Sequence, residues 1–371
     1  MLRIAYDNHI FSEQQYGGIS RYFSEIAKRI RLLDGYDVSV LSPLYVNKYL
    51  QGDPEMNVWG QHVNRLPRPR RLAQVFNRAL VSWKLHRDPP DVVHETYFLE
   101  KRLASTKSRI VLTMYDMIYE KFPQFFHEED KTRRFKKAAV ERADHVICIS
   151  ENTRKDLIEL LGVERERTSV IHLAHSLQSR NGNSTKRMLD RPYLAYVGER
   201  GGYKNFSGLL RAFESSSFLA QNFSIVCFGG GPLRAAERAA IASAGLKADQ
   251  VIHTSGGDEI LEAVYSGAAA FVYPSLYEGF GLPPLEAMSA HCPVVTSKTS
   301  SMPEVCGDAA EYFDPDQPES IAASIERAVA SNGHRSELIA LGLSQIRKFS
   351  WSECARQTAT VYDAVSKRKG R

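Results

Sequence analysis

The sequence predicts an α/β protein made of two doubly wound domains, each a parallel sheet with helices on both faces. Three observations predict it. The chain has 371 residues, more than one hydrophobic core ordinarily organises. Short apolar runs alternate with segments whose apolar residues recur at helical spacing. Near the middle, a polar stretch rich in Gly, Asn and Ser separates two such series. The hydrophobic share of 43% and charged share of 25% are those of an average globular chain, which excludes a disordered or fibrous one.

In the first series, Leu2 to Tyr6 reads as a strand and Ser20 to Leu33 as a helix. Further strands are expected at Asp37 to Leu41, Asp91 to His94, Arg109 to Met114 and His145 to Ile149, with connections long enough to hold helices. The polar stretch, Ser179-Arg-Asn-Gly-Asn-Ser-Thr185, has linker composition, and the domain boundary is placed between residues 183 and 190. The second series expects strands at Tyr193 to Val197, Phe223 to Phe228, Val251 to Thr254, Ala268 to Tyr273 and Val294 to Thr296, and a helix over Gly208 to Phe218. A last helix, Trp351 to Lys367, is expected to cross back to the first domain.

The five cysteines are odd in number and scattered, with no Cys-x-x-Cys pair, which argues against disulfides and cysteine-held metal. Met1 to Ile10 shows no basic segment leading into an apolar stretch, and no run approaches the roughly eighteen apolar residues needed to span a bilayer. The expected location is the cytoplasm, with peripheral contact at the inner face of the membrane. Residues 1–180 hold 29 Lys and Arg against 23 Asp and Glu, and the remainder 19 against 20, so the positive excess lies in the first half. Two clusters carry much of it, Arg65-Leu-Pro-Arg-Pro-Arg-Arg71 and Lys131-Thr-Arg-Arg-Phe-Lys-Lys137. Either suits an anionic membrane surface, and either also reads as an ordinary solvated face. Nucleic acid is not the expected partner, because no binding motif accompanies the charge.

In doubly wound sheets ligands bind beyond the carboxyl ends of the strands, so chemistry is sought in strand-to-helix loops. The segment Pro274-Ser-Leu-Tyr-Glu278-Gly-Phe-Gly-Leu-Pro-Pro-Leu-Glu286 joins a strand end, a glycine loop and a helix start. Gly279 and Gly281 allow close approach of backbone to ligand, the helix N-terminus favours an anionic group, and Glu286 suits the two hydroxyls of a ribose. A second loop, Gly198-Glu-Arg200-Gly-Gly-Tyr-Lys204-Asn, brings glycines and two cations to the end of another strand. There Lys204 offers a compact charge and Arg200 a bidentate fork, both suited to a departing diphosphate. Gly17 and Gly18 follow the first strand, and Asp116 ends the strand Arg109 to Met114. Asp116 suits a base toward an acceptor or an orienter of it, and equally a structural cap.

The Glu278 to Glu286 segment resembles the E-x7-E element of retaining GT-B glycosyltransferases of family GT4. The resemblance implies two Rossmann-like domains facing a central cleft and transfer of a hexose from a nucleotide diphosphate sugar. It places Glu278 beside the donor sugar and Glu286 on the ribose, with Gly279, Phe280, Gly281 and Leu282 in the donor-binding loop. Lys204 and Arg200 correspond to the cations on the diphosphate, and Gly17 and Gly18 to the glycine loop facing it. Where many members read T-x-H-D, this chain has Thr113-Met-Tyr115-Asp116, so Tyr115 stands in place of the His. Ser297 to Ala310, Phe313-Asp-Pro315 and Ala143 to Thr153 also resemble family segments and read mostly as scaffold. The sequence has no His-x-x-x-His cluster and no Asp-x-Asp element, so no metal cofactor is expected.

The resemblance leans toward GDP-mannose or a related GDP-hexose, with UDP-sugars second. It implies a glycan or lipid-linked acceptor in cell-surface polysaccharide or O-antigen synthesis. Two other readings compete. Gly229-Gly-Gly231 follows an apolar run as a dinucleotide loop would, but the third glycine of that fingerprint is replaced at Arg234. A non-catalytic nucleotide-sugar binder would share the same fold.

Overall fold

The computed structural model describes residues 1–177 and 188–367. The chain divides into two compact units, Met1–Leu173 with Ser350–Arg371, and Ala174–Phe349. The polar stretch Ser179 to Thr185, with the boundary placed beside it, lies outside the described residues.

The first unit is built on strands β1 (Leu2–Tyr6), β2 (Tyr36–Tyr45), β3 (Val58–His62), β4 (Val92–Glu95), β5 (Arg109–Met114), β6 (His145–Cys148) and β7 (Thr168–Val170). They form one sheet in the order β3-β2-β1-β4-β5-β6-β7, with parallel pairings throughout. The second unit holds β8 (Tyr193–Val197), β9 (Ser224–Phe228), β10 (Val251–Thr254), β11 (Ala270–Tyr273), β12 (Val294–Ser297) and β13 (Ala310–Phe313). Their order is β10-β9-β8-β11-β12-β13, again parallel. The central strands β4, β6, β11 and β12 are buried along their whole length, as strands covered by helices on both faces must be.

The three strands that sequence periodicity does not show, β3, β7 and β13, are all edge strands. β3 reads Val-Trp-Gly-Gln-His and is largely exposed, so no apolar run betrays it. The basic stretch that begins at Arg65 runs into a helix, Arg70–Arg87, that the sequence pattern does not announce.

The helix Trp351–Ser366 belongs to the first unit, and its contacts explain why. Tyr362 is wholly buried, with its hydroxyl 2.9 Å from that of Tyr6 and 2.6 Å from His94 Nδ1. His94 Nε2 lies 2.8 Å from Thr113 Oγ1, which meets the Tyr22 hydroxyl at 3.1 Å. This chain of paired polar groups links β1, β4, β5 and two helices inside the core, and burial pushes the His94 imidazole down to about 3. Among the described residues no helix is long and apolar enough to cross a membrane.

Candidate active site

Each sheet reverses its strand order once, between β1 and β4 in the first and between β8 and β11 in the second. Crevices at such reversals are where doubly wound sheets take ligands. The loops singled out in the second series, after β8 and after β11, flank its reversal.

The β8 loop leads through the short turn Gly202–Lys204 into the helix Phe206–Ser215. Asn205 sits between them in the left-handed region, at φ 53°, a conformation Asn tolerates better than most residues. Its Oδ1 accepts from the Gly208 amide at 3.1 Å, and its Nδ2 donates to the Pro274 and Pro315 carbonyls at 3.1 and 2.9 Å. The Leu276 amide donates to the Tyr203 carbonyl at 2.8 Å, so the two loops are joined by backbone as well as side chain.

This joining brings Lys204 to Glu278, with Nζ 2.7 Å from Oε1. Both side chains are largely buried, at 19% and 10% exposure. The ammonium also lies 3.4 Å from the Tyr273 hydroxyl, and 5.3 and 5.4 Å from the ring centres of Tyr203 and Tyr273. Burial first, and then Glu278, raise the Tyr273 phenol well above its ordinary value, so this hydroxyl stays protonated.

A third segment fixes Glu278. Its amide donates to Ser300 Oγ at 2.9 Å, and Ser301 Oγ donates to the Glu278 and Phe280 carbonyls at 2.9 and 3.0 Å. Thr299 Oγ1 donates to the Leu276 carbonyl at 3.0 Å. The Thr299-Ser-Ser301 run, which reads from sequence as scaffold, is therefore the clamp on the glutamate loop. Gly281 caps the helix Leu282–Ser289 at φ 98°, and a Cβ there would come within 2.4 Å of Met302 Cε. The positive φ is what calls for glycine, since the Met302 methyl sits at the end of a flexible side chain. Gly279 is buried and Leu282 half-buried, whereas Phe280 is 2% exposed and packs edge-on against Phe349, anchoring the loop with its side chain. Glu286 lies one helical turn on, half-buried, with Oε2 3.4 Å from the Tyr265 hydroxyl.

Arg200, expected from the sequence on the diphosphate, has its guanidinium committed to groups of the protein itself. Its side chain has no exposed surface. Its guanidinium donates to the Gly229, Gly230 and Gly231 carbonyls at 2.9, 3.1 and 2.8 Å, and to Glu237 Oε1 at 3.2 Å. The fork is spent on closing the glycine turn after β9. The same geometry disfavours a dinucleotide loop at Gly229 to Gly231, because those carbonyls turn inward to the arginine and β9 is not at the reversal. Burial alone would raise the Glu237 carboxyl, but hydrogen bonds from Arg234 and Arg200 hold it down to about 2. Arg234 itself is 69% exposed, and its Nη2 lies 4.0 Å from where a Cβ on Gly201 would stand. In the sequence this accessible cation beside the β8 loop figures only as a missing glycine.

In the first unit, Gly17 caps the helix Gly18–Arg31, and a Cβ on it would meet Gln14 Oε1 at 2.2 Å. Asp116 follows β5, where its Oδ1 accepts from the Ile118 amide at 3.0 Å and its side chain remains 31% exposed. Tyr115, in the position of the family His, donates its hydroxyl to the Thr96 carbonyl at 2.9 Å. Lys136, one of the basic cluster, is no surface charge. It is 1% exposed and donates to Glu120 Oε2 at 2.8 Å and to the Asp116 carbonyl at 2.9 Å. Sequence reasoning also passes over His9, half-buried at the start of the short helix His9–Glu13 that follows β1, whose Nδ1 has no hydrogen-bond partner among the described residues.

Two parallel sheets, each with its candidate loops at strand ends, define the fold class of the two-domain nucleotide-sugar transferases. The family profile described as glycosyl transferases group 1 matches residues 179–342, and that of glycosyltransferase family 4 matches residues 16–178. The chain belongs to the GT-B glycosyltransferases of family 4. It is similar to O-antigen chain mannosyltransferase B of Escherichia coli, at 29% identity across 93% of this chain and 95% of that one. It is also 32% identical to the serotype-specific mannosyltransferase WbdA of Escherichia coli, over 59% of this chain and 29% of that longer protein. Among solved structures, sucrose-phosphate synthase from Thermosynechococcus elongatus shares the fold, with a TM-score of 0.76 at 20% identity over 98% of this chain and 99% of that one.

Proposed function

We propose that this glycosyltransferase moves mannose from GDP-mannose, with retention of anomeric configuration, to a glycan or lipid-linked acceptor in O-antigen or related surface polysaccharide synthesis. The observation that carries the reading is the Lys204 to Glu278 pair, held at 2.7 Å by loops that flank the strand reversal. An ammonium and a carboxylate so fixed suit a donor whose leaving diphosphate gains charge while its sugar loses it. Lys204 would face the diphosphate, Glu278 the sugar and Glu286 the ribose, while the glycine loop and the start of the helix Leu282–Ser289 receive the anionic moiety. Arg200 would act on the donor indirectly, by holding the Gly229 to Gly231 turn, and Arg234 would supply the accessible guanidinium. Asp116, with Tyr115 behind it, would orient the acceptor. The mannosyl assignment rests on the two similar mannosyltransferases, one of them matched over nearly its full length.

Transfer is tested with a panel of GDP- and UDP-sugars and a lipid-linked or free glycan acceptor, with the product linkage read by NMR. Turnover with GDP-mannose to an α-linked product is expected, whereas preference for a UDP-sugar would overturn the donor assignment, and nucleotide-sugar binding without turnover the transferase reading. With side chains on the diphosphate, EDTA should leave the rate unchanged. Loss restored by Mn or Mg would show that a metal takes that role.

A further inference from the structure

The helix Arg70–Arg87 is amphipathic on both sides. One face buries Ala73, Asn77, Val81 and Leu85 against the first unit. There Asn77 receives the Leu44 amide at 3.0 Å and donates to the Leu44 carbonyl at 2.8 Å, so the orientation of the helix is fixed. The opposite face is also apolar, and it is open to solvent. Leu72, Val75, Phe76 and Trp83 are 65%, 59%, 52% and 51% exposed. At about 100° per residue, these four and the exposed Ala79 fall within an arc of about 100°, which exposed His86 shares at the last turn. An apolar stripe of this kind, running from Leu72 to Trp83, marks a contact site on a surface.

Its rim identifies the partner. Exposed Arg71 and Arg78 border one side of the stripe and exposed Arg87 the other, with the Arg87 guanidinium 5.2 Å from the centre of the Trp83 ring. Lys84 is paired with Asp88, and at the first turn Arg70 is paired with Glu13. No acidic residue occurs from 56 to 87, a span that holds seven Lys and Arg. Arg65, Arg68 and Arg70 line a depression that opens beside the start of the helix. A protein partner would not require a rim of one sign along the whole helix. An apolar stripe with cationic borders is what a helix lying in the headgroup layer of an anionic bilayer presents.

We propose that the Arg70–Arg87 helix is an interfacial anchor that lays Leu72, Val75, Phe76 and Trp83 into an anionic lipid surface while its arginines meet the headgroup phosphates. The other basic cluster takes no part. Lys136 is buried, Arg134 is paired with Glu100 at 3.1 Å, and Lys137 lies 4.0 Å from Glu141. The inference deepens the lipid-linked reading of the acceptor. It is measured without donor or transfer, so its failure is distinct from failure of that reading.

The test is flotation of the full chain with vesicles of phosphatidylglycerol and phosphatidylcholine, against phosphatidylcholine alone. Binding to the anionic vesicles, weakened by salt, is expected. Arg71→Gln/Arg78→Gln/Arg87→Gln should lower partition about 100-fold, at about fivefold for each basic residue near the surface. Phe76→Ser/Trp83→Ser should lower it at least about tenfold at unchanged charge. Arg133→Gln/Arg134→Gln/Lys137→Gln should leave it unchanged, and retained nucleoside diphosphate affinity would show that each variant is folded. The proposal is overturned if neutral vesicles bind as well as anionic ones, if the second cluster carries the binding, or if Phe76→Ser/Trp83→Ser abolishes self-association of the chain instead of vesicle binding.

Discussion

Replacing Lys204 with Ala tests the donor site most directly. In the free protein the ammonium neutralises Glu278 from 2.7 Å, with the two side chains 19% and 10% exposed. Its removal therefore has two effects. The first is on the fold, because a mostly buried carboxylate loses its partner, at a cost of about 1–3 kcal/mol. In a domain of this size each kcal/mol lowers the melting temperature by about 2–4 °C. The second is on the reaction. A unit charge about 4 Å from a phosphate interacts by about 4 kcal/mol at an effective dielectric of 20. Loss of one such group from a charge-stabilising site typically lowers kcat by about 10²–10³. The assay is nucleotide release from the donor in the presence of acceptor, with the melting temperature followed in parallel. In Lys204→Ala/Glu278→Gln the stranded charge is gone, so stability should recover, which identifies the unpaired carboxylate as the source of the stability loss in Lys204→Ala. A kcat/KM for Lys204→Ala within about threefold of the unsubstituted chain would refute the assignment of Lys204 to the diphosphate.

Other outcomes follow from the same geometry. Glu286→Gln should raise the donor KM and nucleotide Kd with little change in kcat, while Glu278→Gln should lower kcat. Equal effects of both on KM alone would show that the two carboxylates do not divide sugar and ribose between them. Arg200→Met should destabilise the second unit by about 3–5 kcal/mol, because it removes the buried partner of the Gly229 to Gly231 carbonyls and one of the two arginines on Glu237, and Arg234→Ala should weaken nucleotide binding at nearly unchanged stability. The reverse pattern, seen in melting curves and calorimetry, would restore Arg200 as the diphosphate ligand. His94 is held near 3 against 6.5 for an ordinary His, so below about 6.5 the unfolded chain takes up a proton that the folded one refuses. Stability should thus be complete above that pH and decline toward pH 3. Glu237, held near 2 against 4.5, adds a further loss between those values. A melting temperature constant from about pH 7.5 to 5, or an unchanged slope in His94→Gln, would contradict the His94 contribution.

The central strands announce themselves in the sequence as apolar runs because both faces of a doubly wound sheet are covered, and Tyr193 to Val197 and Arg109 to Met114 begin and end where expected. That Glu278, Glu286 and Lys204 lie on segments that follow strand ends is legible there too, because the apolar runs before them mark the strands. Three of the four edge strands, β3, β7 and β13, are not legible, since a strand paired on one side needs no continuous apolar run, although the fourth, β10, still begins with one. Nor is the allotment of charges. In the linear sequence Arg200 and Arg234 are two cations near glycine loops, and Lys136 is one of a cluster. Only the three-dimensional fold decides that Arg200 faces inward on the Gly229 to Gly231 carbonyls, that Lys136 is buried against Glu120, and that Arg234 faces solvent. The physical reason is that composition and local periodicity are fixed by neighbours in the chain. Which partner satisfies a long, flexible cation is fixed by what the fold brings within hydrogen-bonding distance, from residues tens of positions away.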